Sequence, residues 1–376
     1  MRAYSRFNLT ASCAIATSLF ATGFFNMLVD PYGVLSSPVI ANLNEEKPQK
    51  ASNVRLFKAI DITHLNPKTV FLGSSQAEYG LNPSHPALDS HQPAYNLGIP
   101  NSNMYEMLRY LEHAIANQPD LEVVVIALDF IAFSGANTNR VDFDESRLEK
   151  DKLALNDLLN VTVSTDALHS SVETVIENID QDNLNPYFPD GRRDESFFDS
   201  DRSKIDVFKQ YINAYFDRPE LYGQYTLSES MIENFEAIVA LCQEKGITLE
   251  VFISPYHATQ LEAIHVAGLW PVFEEWKRQI VEITPIWDFS GYSTVITEPV
   301  NDQMKYFRDS VHYREEIGGL ILNRVLDYQD KDVPENFGIW VTPDNIETHL
   351  SQIRSDHQDW AAENTQLVQL VQEVSQ

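Results

Sequence analysis

Thr69-Val70-Phe71-Leu72-Gly73-Ser74-Ser75 is the stretch on which the reading of this chain turns. It is a short apolar, β-prone run without alternation, stopping at a glycine followed by two hydroxyls. A strand apolar on both sides is a strand covered on both faces, as in parallel sheets, and it delivers small residues to a turn at its end. The pattern repeats downstream. Ala94-Tyr95-Asn96-Leu97-Gly98 is a second strand-like piece, and Asn103 with Glu106 forms a capping box. Met104, Met107, Leu108, Leu111 and Ile115 then follow at helical spacing and stop at Pro119. Val123-Val124-Val125-Ile126-Ala127-Leu128 is apolar throughout. After a long interruption the rhythm resumes with Met231, Phe235, Ile238 and Cys242 on one helical face, ended by Gly246, and a strand over 247–254 running into Pro255. A helix over 259–281, a short strand Ile286-Trp287-Asp288 and a last helix over 314–328 follow. Alternation of this kind predicts an α/β fold, a doubly wound, mostly parallel sheet flanked by helices, with ligands at the carboxyl ends of its strands.

The remaining segments are read around that core. Residues 1–29 are a membrane anchor or signal, 30–66 a polar approach segment with an amphipathic stretch at 54–60, and 67–330 the sheet domain. An acidic insertion at about 134–226, helical in pieces, interrupts it; residues 183–201 are its least structured part. Residues 331–376 form an acidic, Gln-rich tail in which Ile346, Leu350 and Ile353, then Leu367, Leu370 and Val371, indicate two short amphipathic helices. Packing of that tail on the domain's own surface competes with a partner-binding role.

Charge excludes some functions. With 27 Lys+Arg against 55 Asp+Glu the net charge is -28, against nucleic-acid binding and against a grip on anionic lipid. Two cysteines, Cys13 and Cys242, offer no disulfide framework. Leu9 to Val29 carries no charge, is preceded by Arg2 and Arg6, and is long enough to cross a bilayer. The basic flank places the N-terminus in the cytoplasm and the rest outside. A cleaved signal peptide is the competing reading, but no small-x-small site closes the apolar run.

Two pieces could carry chemistry. Gly73-Ser74-Ser75 puts hydroxyls where a buried strand ends, a tight turn if nothing else supports it. Arg308-Asp309-Ser310-Val311-His312 places a carboxylate three residues from an imidazole just before the final helix. An aspartate on one ring nitrogen fixes the tautomer and leaves the other nitrogen to accept a serine proton. Alone, Asp-x-x-His is as readily a surface or capping motif.

Together, in this order and on these elements, the two pieces resemble the SGNH/GDSL hydrolase superfamily over roughly residues 67–328. The closer likeness is to membrane-anchored proteins of bacterial cell-envelope acylation, of the alginate O-acetylation and teichoic acid D-alanylation types. The resemblance implies Ser75, not Ser74, as nucleophile, His312 as base and Asp309 as its orienter. It implies an oxyanion site from the amides of Ser75 and of Asn101, which stands where relatives carry glycine, in the block that includes Gly98. Asn tolerates the left-handed conformation better than most residues. In relatives the third strand ends in Gly-x-Asn, whereas this chain has Ala127-Leu128-Asp129; a charged Asp129 would repel an oxyanion unless it is protonated, turned away or used otherwise. His257, after the 247–254 strand, is read either as a surface-loop histidine or as lining the cleft mouth. The other histidines show no metal-ligand spacing, and Asp180, Asp182 and Asn183 lack the rest of a calcium loop, so neither metal nor cofactor is expected.

The function so implied is an extracytoplasmic serine acyl-esterase or O-acyltransferase on the bacterial inner membrane, acting on an acylated glycan or similar envelope ester. A membrane-bound acyl-donor protein is the partner that transfer would require. The alternative is a non-catalytic glycan-binding or scaffolding subunit, to which Asp129 points.

Overall fold

The computed structural model describes residues 2–150, 152–180, 185–198 and 202–375. Residues 181–184 and 199–201, at the two ends of the stretch expected to be least structured and including Asp182 and Asn183 of the rejected calcium pattern, lie outside the described residues. The chain divides into two compact units, Met1–His64 with Asp144–Phe188 and Asp194–Phe198, and Leu65–Phe143 with Pro189–Arg193 and Asp199–Gln376.

The second unit is an α/β, doubly wound sheet of six strands in the order β2-β1-β3-β4-β5-β6. These are β1 (Thr69–Gly73), β2 (Ala94–Asn96), β3 (Val123–Leu128), β4 (Thr248–Ile253), β5 (Ile286–Asp288) and β6 (Ile339–Val341). β1 to β5 are parallel; β6 runs antiparallel to β5, pairing Trp287 with Trp340. Every residue of β1 and β3 is buried, the consequence of apolar runs without a polar face. Strand order reverses between β1 and β3, the switch point at whose carboxyl ends folds of this kind place their ligands. Asn103 caps the helix Met104–Asn117 by accepting from the Glu106 amide at 2.9 Å, and Gly246, at φ 69°, ends the helix Glu229–Lys245.

Three sequence expectations need correction. The helix expected over 259–281 is two helices, Ala258–Val266 and Trp270–Ile283, separated at Gly268, whose φ of 70° no helix continues through. The tail is more than helices, because it contributes β6; its helices Ile346–Glu363 and Thr365–Val374 bury Leu350, Ile353, Trp360 and Val371 against its own unit. The stretch 134–226 adds no strand to the sheet among the described residues and is divided between the units: residues 144–188 join the N-terminal residues, while the helix Lys204–Asp217 belongs with the sheet.

The first unit is helical. Its longest helix, Arg2–Val29, is long and apolar enough over Tyr4–Val29 to cross a membrane. Its small core gathers Tyr32, Val34, Phe57 and Ile60 with Val161, Ala167 and Tyr187. Asn178 clamps residue 46 by donating to its carbonyl and accepting from its amide, at 3.0 and 2.9 Å. The approach segment is thus a folded part of this unit, with a helix at Val54–Leu65.

Candidate active site

β1 ends at Gly73, and the chain turns at once into the short helix Ser75–Gly80. Ser74 caps that helix and is buried, while Ser75, one position on, is partly exposed. The two hydroxyls therefore meet different surroundings. Ser75 Oγ lies 2.7 Å from His312 Nε2. His312 Nδ1 lies 2.9 and 3.0 Å from the two oxygens of Asp309. A serine, an imidazole and a carboxylate 237 positions from end to end in sequence are brought into one hydrogen-bonded line.

Asp309 is fully buried, and burial pushes its carboxyl up. The neighbouring imidazole and hydrogen bonds from His312 and from the amides of Val311 and His312, both at 2.8 Å, outweigh that and hold it below the ordinary carboxylate range. It is thus an anion that accepts from Nδ1–H, leaving Nε2 as the acceptor for the Ser75 hydroxyl. Two rings hold the imidazole edge-on, Tyr79 at 5.2 Å and Tyr211 at 5.4 Å between centroids.

Gln76, next to Ser75, donates to the carbonyls of Val311 at 2.9 Å and Pro255 at 3.2 Å, tying the serine turn to the histidine loop and to the exit of β4. The helices Ser75–Gly80 and Glu315–Val325 approach so closely that a Cβ on Gly318 would sit 1.7 Å from the Gly80 carbonyl oxygen, and one on Gly80 would meet the Tyr313 ring at 1.9 Å. Only glycine fits either position.

Asp129, at the end of β3, points its carboxylate into the protein. Oδ2 accepts from the Ser74 hydroxyl at 2.8 Å; Oδ1 accepts from the Tyr256 hydroxyl and from the Ile131 amide, the latter at 3.1 Å. One carboxylate thus links the ends of β1, β3 and β4. Of the three options left open by the sequence, this geometry is that of a group turned to another purpose.

Asn101 has the left-handed backbone its type tolerates, φ 55°. Its turn is strapped to the end of β1, since the Ile99 amide and the Ser102 hydroxyl both donate to the Gly73 carbonyl, at 2.9 and 3.2 Å. Gly98 differs from expectation as an oxyanion donor: its amide donates to Asn96 Oδ1 at 2.9 Å, and a Cβ there would lie 2.7 Å from the Glu78 nitrogen. Its part is close packing beneath the serine helix. His257 is a correction to both earlier readings. It is buried, its Nδ1 paired with Thr259 Oγ1 at 2.9 Å and its Nε2 donating to the Glu298 carbonyl at 2.8 Å, and it caps the helix Ala258–Val266. Burial pulls its pKa down to about 4, so it is neutral. Neither nitrogen is left for the cleft.

Sequence reasoning missed Tyr79, Gln76, Tyr256, Tyr211 and two arginines. The Arg193 and Arg308 guanidiniums sit 5.0 and 4.7 Å from the Tyr79 ring centre, and Arg193 is also paired with the buried Glu78 at 3.3 Å. Arg193 and Tyr211 come from the stretch read as an insertion, which carries no motif to announce them. Gln76 and Tyr79 had a signal, their place one and four residues after the candidate serine. Among the described residues no cluster of His, Cys, Asp and Glu could hold a metal ion.

No family model matches this chain, and no curated protein matches it. Among solved structures, one from Streptococcus pneumonia described as "a putative platelet activating factor" overlaps 75% of this chain and 92% of its own, at 11% identity and a TM-score of 0.33. A likeness so distant carries no argument about function.

Proposed function

We propose that the chain is an extracytoplasmic serine acyl-esterase or O-acyltransferase of the SGNH type, acting on a cell-surface glycan or similar envelope ester and held at the bacterial inner membrane by its N-terminal helix. The observation that carries this reading is the 2.7 Å approach of Ser75 Oγ to His312 Nε2 with Asp309 on the opposite nitrogen. In the reaction, Ser75 Oγ attacks the acyl carbonyl carbon as its proton passes to His312 Nε2. The imidazolium formed is stabilised by the ionised Asp309 and returns the proton to the departing alcohol oxygen. An acyl-Ser75 ester remains. Water or a sugar hydroxyl, deprotonated by the same nitrogen, then resolves it; hydrolysis and transfer differ only in that acceptor. Transfer would draw its acyl group from a membrane-bound donor protein. The Ser75 amide opens the serine helix and has no acceptor within it, and with the Asn101 amide it is the donor pair for the oxyanion.

The non-catalytic alternative rested on Asp129. Both of its oxygens are hydrogen-bonded to Ser74, Tyr256 and Ile131, which supports a structural role for it at the strand ends. A fluorophosphonate probe on the full-length protein tests the proposal. Wild type should label and Ser75→Ala should not, whereas Ser74→Ala should label within about tenfold of wild type, because the Asp129 carboxylate it loses keeps its bonds to Tyr256 and Ile131. Labelling lost in Ser74→Ala but kept in Ser75→Ala would move the nucleophile by one residue. An unreactive wild type would favour the binding subunit.

A further inference from the structure

Helix Thr165–Asp180 is inverted relative to a helix built for water. Its protein-facing side is small and polar, with Ala167, Ser170, Ser171, Thr174 and Asn178 buried. Its outward side carries Val172, Ile176 and Ile179, exposed by 43, 51 and 61%, at the i, i+4, i+7 spacing of one stripe. The preceding helix, Leu155–Val163, repeats the device with Leu155, Leu159 and Val163 outward at intervals of four. A water-facing helix turns such a stripe to the core; small residues inward and branched apolar ones outward is how helices pack where the surrounding medium is itself apolar.

Their neighbour says which medium. Both helices pack on Arg2–Val29, the helix apolar enough to span a membrane. Asn26 donates its side-chain amide to the Thr162 carbonyl at 2.7 Å, and a Cβ on Gly23 would touch Val163 at 3.4 Å. That helix presents its own apolar side chains outward beside them, Phe20, Phe24 and Met27 among them. Gly23 and Asn26 lie six and three residues before Val29, about 9 and 4.5 Å along the axis at 1.5 Å per residue. That matches the depth of roughly 5–10 Å at which amphipathic helices sit in the boundary between headgroups and acyl chains.

We propose that the helices Leu155–Val163 and Thr165–Asp180 are embedded in the outer-leaflet boundary of the bilayer alongside the anchor, forming a second membrane contact. The contact is apolar, not electrostatic, since the helix Thr165–Asp180 carries Asp166, Glu173, Glu177 and Asp180 and no Lys or Arg. It rests on the N-terminal helix crossing the membrane, as read above.

The test uses the full-length Cys13→Ser protein in phosphatidylcholine vesicles, with an environment-sensitive fluorophore on a single added cysteine: Leu159→Cys, Ile176→Cys, Ile15→Cys in the anchor, or Glu244→Cys as a water-exposed control. A nitroxide on the lipid acyl chain should remove most of the emission from positions 159, 176 and 15, and aqueous iodide should quench position 244 alone. Iodide quenching at 159 and 176, with position 15 still quenched from the lipid, would overturn this inference and leave the anchor standing. Protection of 159 and 176 from both quenchers would overturn it in favour of a protein partner or a second copy. Absence of lipid quenching at 15 would overturn the anchor and this contact together.

Discussion

β3 and the helix Thr165–Asp180 handle the same residue types in opposite ways. In β3, Val123 to Leu128 are buried without exception, and polar groups gather only beyond its end, at Asp129. In the helix, Ser170, Ser171 and Thr174 are inside while Val172, Ile176 and Ile179 face out. Apolar side chains mark the inside only where the outside is water. The sheet unit has the pattern of a body in water, with its apolar runs inside, and the helical unit has the pattern of a body meeting lipid.

The sharpest test of the sheet side compares two of its buried aspartates, Asp309 and Asp129. Asp309→Asn keeps an acceptor for the amides of residues 311 and 312 but offers the imidazole an amide, which favours the wrong tautomer; labelling of Ser75 should fall by about 10³–10⁴-fold. Asp129→Asn keeps its bonded position away from the serine–histidine pair and should change the rate by less than about tenfold. Equal losses in labelling kinetics would mean that Asp129 acts on the reaction itself.

Next in size is the core of the sheet. Ile126, fully buried in β3, should cost about 3 kcal/mol as Ile126→Ala through lost burial and the cavity left behind, read from denaturant unfolding of the protein in detergent.

Acid should then weaken the same unit through His257. Its folded pKa of about 4 lies below the ordinary value, so the unfolded chain binds a proton that the folded one refuses, and stability is lost as pH falls from about 6.5. Between pH 6.5 and 5 this amounts to about 2 kcal/mol, and His257→Asn should flatten the fall in the unfolding midpoint. An unchanged slope would show that other groups dominate acid sensitivity.

The smallest effect is expected in the helical unit. Ile176→Ala, chemically the same change as at Ile126, should alter stability in detergent by less than about 0.5 kcal/mol, because that side chain is half exposed. A loss approaching that at Ile126 would erase the contrast and place Ile176 in a protein core.

Much of the sheet was legible because its signals are local. The continuous apolar runs at 69–72 and 123–128, the Asn103 cap and the Gly246 stop each report on a backbone conformation decided within a few residues. The break at Gly268 and the strand at 339–341 were not legible. The first is one glycine inside a helical pattern, and the second is three residues whose pairing depends on where β5 lies.

For the candidate site, the sequence by itself determined which hydroxyl and which imidazole could meet, because a residue just past a buried parallel strand and a loop just before a final helix share one edge of a doubly wound sheet. Tertiary structure alone decided what surrounds them. Arg193 and Tyr211 come from a segment whose periodicity is patchy, and two of the three donors to Asp129, Ser74 and Tyr256, come from strand ends far apart in the chain. The physical reason is range: backbone preference and side-chain periodicity are written over a few residues, whereas the partner of a buried polar group is whatever the folded chain brings within about 3 Å of it.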